Sequence, residues 1–210
     1  MNFETVLEET RLVAILRGVT PKEILNVAAV LINSGFKIIE IPLNSPDAFN
    51  SIEILSLHYK SFDDIYIGAG TVCKEEDVER LYSIGAKLVV SPNIDKSVIL
   101  KSIEKKMISV PGFLTPTEAY SAIKQGARYI KLFPFKKFGL DYYKDIRVVL
   151  PLHVKVIVVG GVDTSNIENY LSNGIKYFGL GSSLYKPNMS LKEIKTKADS
   201  FIAKVGSFGK

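Results

Sequence analysis

The sequence predicts an α/β protein, a (β/α)8 TIM barrel formed by residues 1–210 as a single domain. Three observations carry that expectation. Apolar runs rich in Val and Ile recur about eight times, and several are near-continuous hydrophobics, as in parallel strands buried on both faces. Glycines stop the intervening helices and lead straight into the next strand. The turn after the first strand, LRGVTP, lacks the glycine-rich dinucleotide fingerprint that a doubly wound open sheet would want.

Taken in order, the first strand is read in LVAILRG (12–18). Thr20-Pro21-Lys22-Glu23 follows as a helix start, with a Thr cap, Pro in the first turn and Glu placed to close a capping box. That helix stops at Gly35 in INSGFKIIE, and KIIEIPL (37–43) is the second strand. IYIGAGT (65–71) is the third; a helix ending at Gly85 leads into KLVVSPN (87–93), the fourth. ISVPGF (108–113) is the fifth, after which Thr115-Pro116-Thr117-Glu118 repeats the cap arrangement. Gly126 closes that helix and YIKLFPF (129–135) is the sixth strand. KVIVVGG (155–161) and YFGLGSS (177–183), the latter entered through Gly174, complete the set.

Composition excludes several functions. The net charge of +5 comes from lysines dispersed along helix faces, without an aromatic-interleaved patch, so nucleic acid is not expected and small anions are. His58 and His153 have no ligand partners at metal-binding spacing, so neither a metal nor another cofactor is called for. The one cysteine, Cys73, excludes an internal disulfide and reads as a small buried side chain. No apolar stretch reaches membrane-span length, and the opening MNFETVLEETRLVAILRG has no basic leader or cleavage site, so no membrane association and a cytoplasmic location are expected.

Barrels of this type keep their chemistry at the C-terminal ends of the strands. Residues read there are Arg17, Glu40, Asn44, Thr71, Pro92-Asn93, the Pro111-Gly112 turn, Lys131, Gly160-Gly161 and Gly181-Ser182. Glu40 in IIEIP and Lys131 in YIKLF stand out, because a charge inside an apolar strand costs several kcal/mol unless something compensates. One reading is a buried salt bridge that only fixes the barrel interior. The other is a Schiff-base lysine with a carboxylate proton shuttle. An amine attacks a ketone only when neutral, and at an ordinary pKa about one lysine in 2,500 is neutral at pH 7. Apolar surroundings, here read as Ile130, Leu132 and Phe133, penalise the ammonium and raise the neutral fraction. The iminium then accepts the electron pair of the breaking carbon–carbon bond.

VVGG (158–161) and GLGSS (179–183) end successive strands where unobstructed backbone amides can hold a phosphate, or simply make tight turns. Arg17 offers a second anion contact, for carboxylate or phosphate.

With these residues assembled, the chain resembles the class I 2-keto-3-deoxy-6-phosphogluconate/2-keto-3-deoxy-6-phosphogalactonate aldolases. The resemblance runs from about Leu12 to Leu184, through ILRG (15–18), EIPLNSP (40–46), GAGTV (68–72), SPN (91–93), PG (111–112), KLFP (131–134), GG (160–161) and GLGS (179–182). It implies that Lys131 forms the Schiff base, that Glu40 shuttles protons and that Arg17 and Thr71 contact substrate. Pro92 is counted with that set, and Gly160, Gly161, Gly181 and Ser182 form the phosphate end. It also implies a homotrimer and a small phosphorylated keto acid as partner. Gluconate-type members typically carry an arginine after the glutamate and a threonine before GG; Asn44 and Val159 stand there instead, as in the galactonate-specific form. Phe135 and Lys136 depart from the usual small residues after FP and are expected to narrow the mouth or add positive charge near the phosphate. The expected reaction is cleavage of the phosphogalactonate to pyruvate and glyceraldehyde 3-phosphate. The alternatives are the phosphogluconate or 4-hydroxy-2-oxoglutarate reaction by the same mechanism, a phosphate-binding isomerase or epimerase, and a non-catalytic anion-binding barrel.

Overall fold

The structure, a computed structural model, describes residues 1–208. Its strands are β1 (Leu12–Ile15), β2 (Ile38–Pro42), β3 (Tyr66–Gly70), β4 (Leu88–Val90), β5 (Ile108–Val110), β6 (Gly112–Phe113), β7 (Tyr129–Leu132), β8 (Lys155–Val159) and β9 (Tyr177–Leu180). Between and around them run α1 (Phe3–Thr10), α2 (Ile24–Ser34), α3 (Ala48–His58), α4 (Glu75–Ser83), α5 (Lys96–Glu104), α6 (Pro116–Lys124), α7 (Phe135–Val149), α8 (Ile167–Ser172) and α9 (Leu191–Gly206). All pairings are parallel, in the order β5-β4-β3-β2-β1-β9-β8-β7-β6.

That order ends where it began, because β5 and β6 are two halves of one strand interrupted at Pro111. Proline has no N–H to give a ladder. Ser91 N–H therefore donates to Val110 on one side (3.1 Å) and Lys131 N–H to Pro111 on the other (2.8 Å). The interruption hands the strand from one neighbour to the next, and the barrel closes with the expected eight βα units.

The strand alternation sorts the core into two. Val13, Ile15, Ile38, Leu88, Val90, Val110, Tyr129, Ile157, Val159 and Tyr177 fill the barrel interior, while Ile39, Ile41, Ile130, Leu132, Val156 and Val158 face the helices. Helix α1 belongs to the interior group. Asn2 caps it by accepting from Thr5 N–H (2.9 Å), and Phe3, Val6 and Leu7 are buried. Phe3 meets Tyr66 and Tyr129 edge-on, with ring centroids 5.0 and 4.8 Å apart. The helix thus covers the N-terminal opening of the barrel.

Local signals behave as expected in most places. Gly35, Gly85, Gly126 and Gly174 all take positive φ between 81° and 114°, ending helices with the αL geometry that side chains resist. Thr115 makes the full capping box: its hydroxyl accepts from Glu118 N–H, and Glu118 Oε2 accepts from Thr115 N–H at 2.8 Å. Only half of the Thr20 box forms, Glu23 Oε1 accepting from Thr20 N–H at 3.1 Å. Helix α2 starts only at Ile24; the Thr20 hydroxyl donates to Glu23 Oε1, and its carbonyl takes the Glu23 N–H instead. No described helix is long and apolar enough to cross a membrane.

Candidate active site

Glu40 points inward from β2 and is 2% exposed; Lys131 points inward from β7 and is 7% exposed. Both line one interior cavity of about 20 Å³, room for about one water molecule, together with Phe3, Val13, Ile15 and Val159 among others. Glycine makes the carboxylate's space. A Cβ on Gly70 would lie 1.9 Å from Glu40 Oε2, so the GAG of β3, the strand beside β2, leaves the carboxylate its room.

Neither charge has found a partner. Glu40 Oε2 is buried without a hydrogen bond, and among the described residues Lys131 and Glu40 form no ion pair within 4.0 Å. Lys131 Nζ stands 4.8 Å from the centre of the Phe133 ring. A packing-only salt bridge is therefore not the arrangement present. Burial pushes the Glu40 carboxyl up to about 7, against the pull of Lys131 and Arg17. Burial likewise lowers the Lys131 ammonium; Glu40 opposes that shift and Arg17 adds to it. The outcome is an amine driven towards its nucleophilic form beside a carboxyl able to give and take a proton near neutrality.

The apolar neighbours responsible are not those adjacent in sequence. Ile130 and Leu132 face the helices, because successive strand residues point to opposite sides. Val110, Ile157 and Val159, contributed by other strands, do the desolvating inside. Phe133 is 40% exposed and stands over the amine, with its ring 3.5 Å from where a Cβ of Gly160 would be. It spans the amine and the glycine pair.

Three of the expected contacts converge at the rim. Arg17 donates to Asn44 Oδ1 and, more weakly at 3.5 Å, to Thr71 Oγ1. Thr71 sits at φ 59°, a strained setting for a β-branched residue, with its hydroxyl held at the mouth. Ser45 was not foreseen; its buried hydroxyl accepts from Gly18 N–H (2.9 Å) and ties the β1 and β2 loops together. Pro92 is exposed, with its backbone packed against Gly112, the register partner of Lys131.

At the other side of the mouth, Gly160 and Gly161 follow β8 with φ of 105° and 77°. After β9, the Gly181 carbonyl accepts from Leu184 and Tyr185 N–H (2.9 and 3.0 Å), forming a helical turn. Among the described residues, the N–H groups of Gly161 and Ser182 donate to no protein group. Phe135 is not at the mouth: it is 1% exposed and packs edge-on against Tyr143 and Tyr170. Cys73 is also a correction, being exposed, because it follows the strained Thr71 turn out of β3 instead of continuing into the core. No group of three or more His, Cys, Asp or Glu side chains suited to a metal occurs among the described residues.

Comparisons with known proteins meet this geometry. The family model described as "Aldolase: KDPG and KHG aldolase" matches residues 3–198. A Rhizobium meliloti protein named "Probable 2-dehydro-3-deoxy-6-phosphogalactonate aldolase" is 45% identical over 93% of this chain and 91% of its own length. The Escherichia coli protein named 2-dehydro-3-deoxy-6-phosphogalactonate aldolase is 41% identical, over 96% of both chains. A solved structure described as native KDPGal superposes with a TM-score of 0.90 at 40% identity, covering 93% of this chain and 94% of the other.

Proposed function

The chain belongs to the KDPG and KHG aldolase family of lyases, and from that membership we propose that it cleaves 2-keto-3-deoxy-6-phosphogalactonate to pyruvate and glyceraldehyde 3-phosphate. The observation that carries the mechanism is the pair of buried charges, Lys131 and Glu40, lining one cavity without neutralising each other.

Neutral Lys131 Nζ adds to the C2 carbonyl, and the carbinolamine loses water to an iminium. The C3–C4 bond then breaks, its electron pair forming the enamine and neutralising the iminium. The C4 hydroxyl proton passes to the Glu40 carboxylate, and C4 leaves as the aldehyde of glyceraldehyde 3-phosphate. Glu40 returns that proton to C3, and hydrolysis of the imine frees pyruvate and restores the amine. A carboxyl poised near pH 7 suits both directions of that transfer. Arg17, held by Asn44, and Thr71 bind the carboxylate end, with Pro92 shaping the adjoining wall. The unpaired amides around Gly160, Gly161, Gly181 and Ser182 take the phosphate.

The galactonate preference draws support from the names and identities of the relatives and from Val159, an apolar side chain lining the same cavity. The whole chain, residues 1–210, acts as one catalytic domain in the cytoplasm, assembles as a homotrimer and takes a small phosphorylated keto acid as its partner. Light scattering at three chain masses checks the assembly. The two C4 epimers compared side by side, with pyruvate as readout, test the substrate. Faster turnover of the galactonate epimer is expected; equal or reversed preference contradicts the assignment.

A further inference from the structure

We propose that Lys136 is a specificity-determining residue that supplies the cation selecting phosphorylated over unphosphorylated substrates. This deepens the aldolase reading and rests on it.

Lys136 is fixed at its base and free at its tip. Phe135, one residue before, is buried among aromatic rings, and Lys136 N–H donates to the Gly160 carbonyl at 3.0 Å. Its aliphatic stem then runs across Gly161. A Cβ at that glycine would stand 2.4 Å from Lys136 Cδ and 2.5 Å from its Cβ, so the bare backbone of Gly161 is what lets the stem lie there. The stem is thereby laid against the glycine pair, and the side chain, exposed overall, starts from there.

Lys37, Lys101, Lys105, Lys155, Lys195 and Lys204 are held in ion pairs. Among the described residues Lys136 forms none within 4.0 Å. Asp163 feels its charge, but that carboxylate already accepts from the N–H and hydroxyl of Ser165 at 2.8 and 2.5 Å. Backbone amides orient a phosphate without carrying a formal charge, and an ammonium reaching a phosphate held there adds the missing point charge. An unphosphorylated keto acid makes no use of it.

The test is the ratio of kcat/KM for the phosphorylated substrate to that for its unphosphorylated counterpart. Lys136→Met keeps the stem on Gly161 and removes the charge; the ratio falls about tenfold, through KM for the phosphorylated substrate, and Lys136→Arg restores most of it. Lys137→Met, which removes the same charge one residue along, changes the ratio less than about twofold. An unchanged ratio in Lys136→Met, or an equal fall in Lys137→Met, overturns the proposal. A second readout separates it from the reaction: inorganic phosphate raises the melting temperature of the wild type more than that of Lys136→Met. A wild type that cleaves neither substrate sinks the aldolase reading alone if that difference persists, and sinks both if it is absent.

Discussion

Glu8 and Glu40 are carboxyls at opposite ends of the same barrel, the first exposed on α1 and the second buried in the interior. At the N-terminal end Glu8 accepts hydrogen bonds from Lys155 and Tyr177, which win against burial and hold it below the usual carboxylate range. Around it α1 fills the opening with Phe3, Val6 and Leu7. At the C-terminal end Glu40 has no such donor, burial wins, and its carboxyl titrates near 7. Lys131, strained Thr71 and unpaired amides lie at the same end. The contrast teaches that depth and hydrogen-bond partners act together: an exposed carboxylate with two donors stays charged and ties α1 to the barrel, while a buried one without donors is left available for chemistry. One end carries stability; the other gives some up.

Substitutions at the two ends should therefore separate activity from stability. Lys131→Ala removes the buried amine and should lower kcat by more than about 10⁴, while urea melts show a protein no less stable. Glu40→Gln should slow turnover by about 10² to 10⁴ yet still permit imine formation with pyruvate; unchanged turnover would remove Glu40 from the scheme. Leu7→Ala, at the closed end, should cost about 3 kcal/mol and lower the melting temperature by roughly 8 °C, with kcat at 25 °C within about twofold of wild type.

The carboxyls also predict opposite pH slopes. For Glu40 the folded pKa is raised, so its contribution to stability is full below 4.5 and is lost as pH rises through about 7. For Glu8 the folded pKa is depressed, so its contribution is present above 4.5 and lost as pH falls through the folded value. Urea melts should show the two slopes changing in opposite directions, for Glu40→Gln between about pH 4 and 8 and for Glu8→Gln below about pH 5. The smallest expected effect is on selectivity: Val159→Thr places a hydroxyl in the cavity shared with Glu40 and Lys131 and should move the epimer ratio towards the gluconate by about tenfold.

Much of this architecture was legible in the chain because its signals are local. A glycine after a helix, a Thr-Pro-x-Glu start and a Val/Ile run each act over a few residues, and the barrel is their repetition. The two odd charges were visible for the same reason, each standing inside an apolar run. What could not be read depends on which residues meet across the barrel. The desolvating neighbours of Lys131 come from other strands, so the flanking Ile130 and Leu132 were the wrong shell. The space Gly70 leaves for Glu40 is a contact between two strands, signalled only by alternate glycines in GAG. Helix α1 sealing the barrel, the burial of Phe135 and the exposure of Cys73 likewise follow from tertiary packing. The Thr20 box is half-made because the chain turns tightly there, so that the Glu23 N–H reaches the Thr20 carbonyl instead of its hydroxyl and α2 begins only at Ile24.

The central claim is that the Lys131 amine is kept nucleophilic inside the barrel and bonds covalently to the keto carbon. Incubation with pyruvate and borohydride, followed by peptide mass spectrometry, tests it directly. One reduced adduct is expected, located on Lys131 and absent from Lys131→Ala. An enzyme that cleaves its substrate while Lys131 stays unmodified would contradict it.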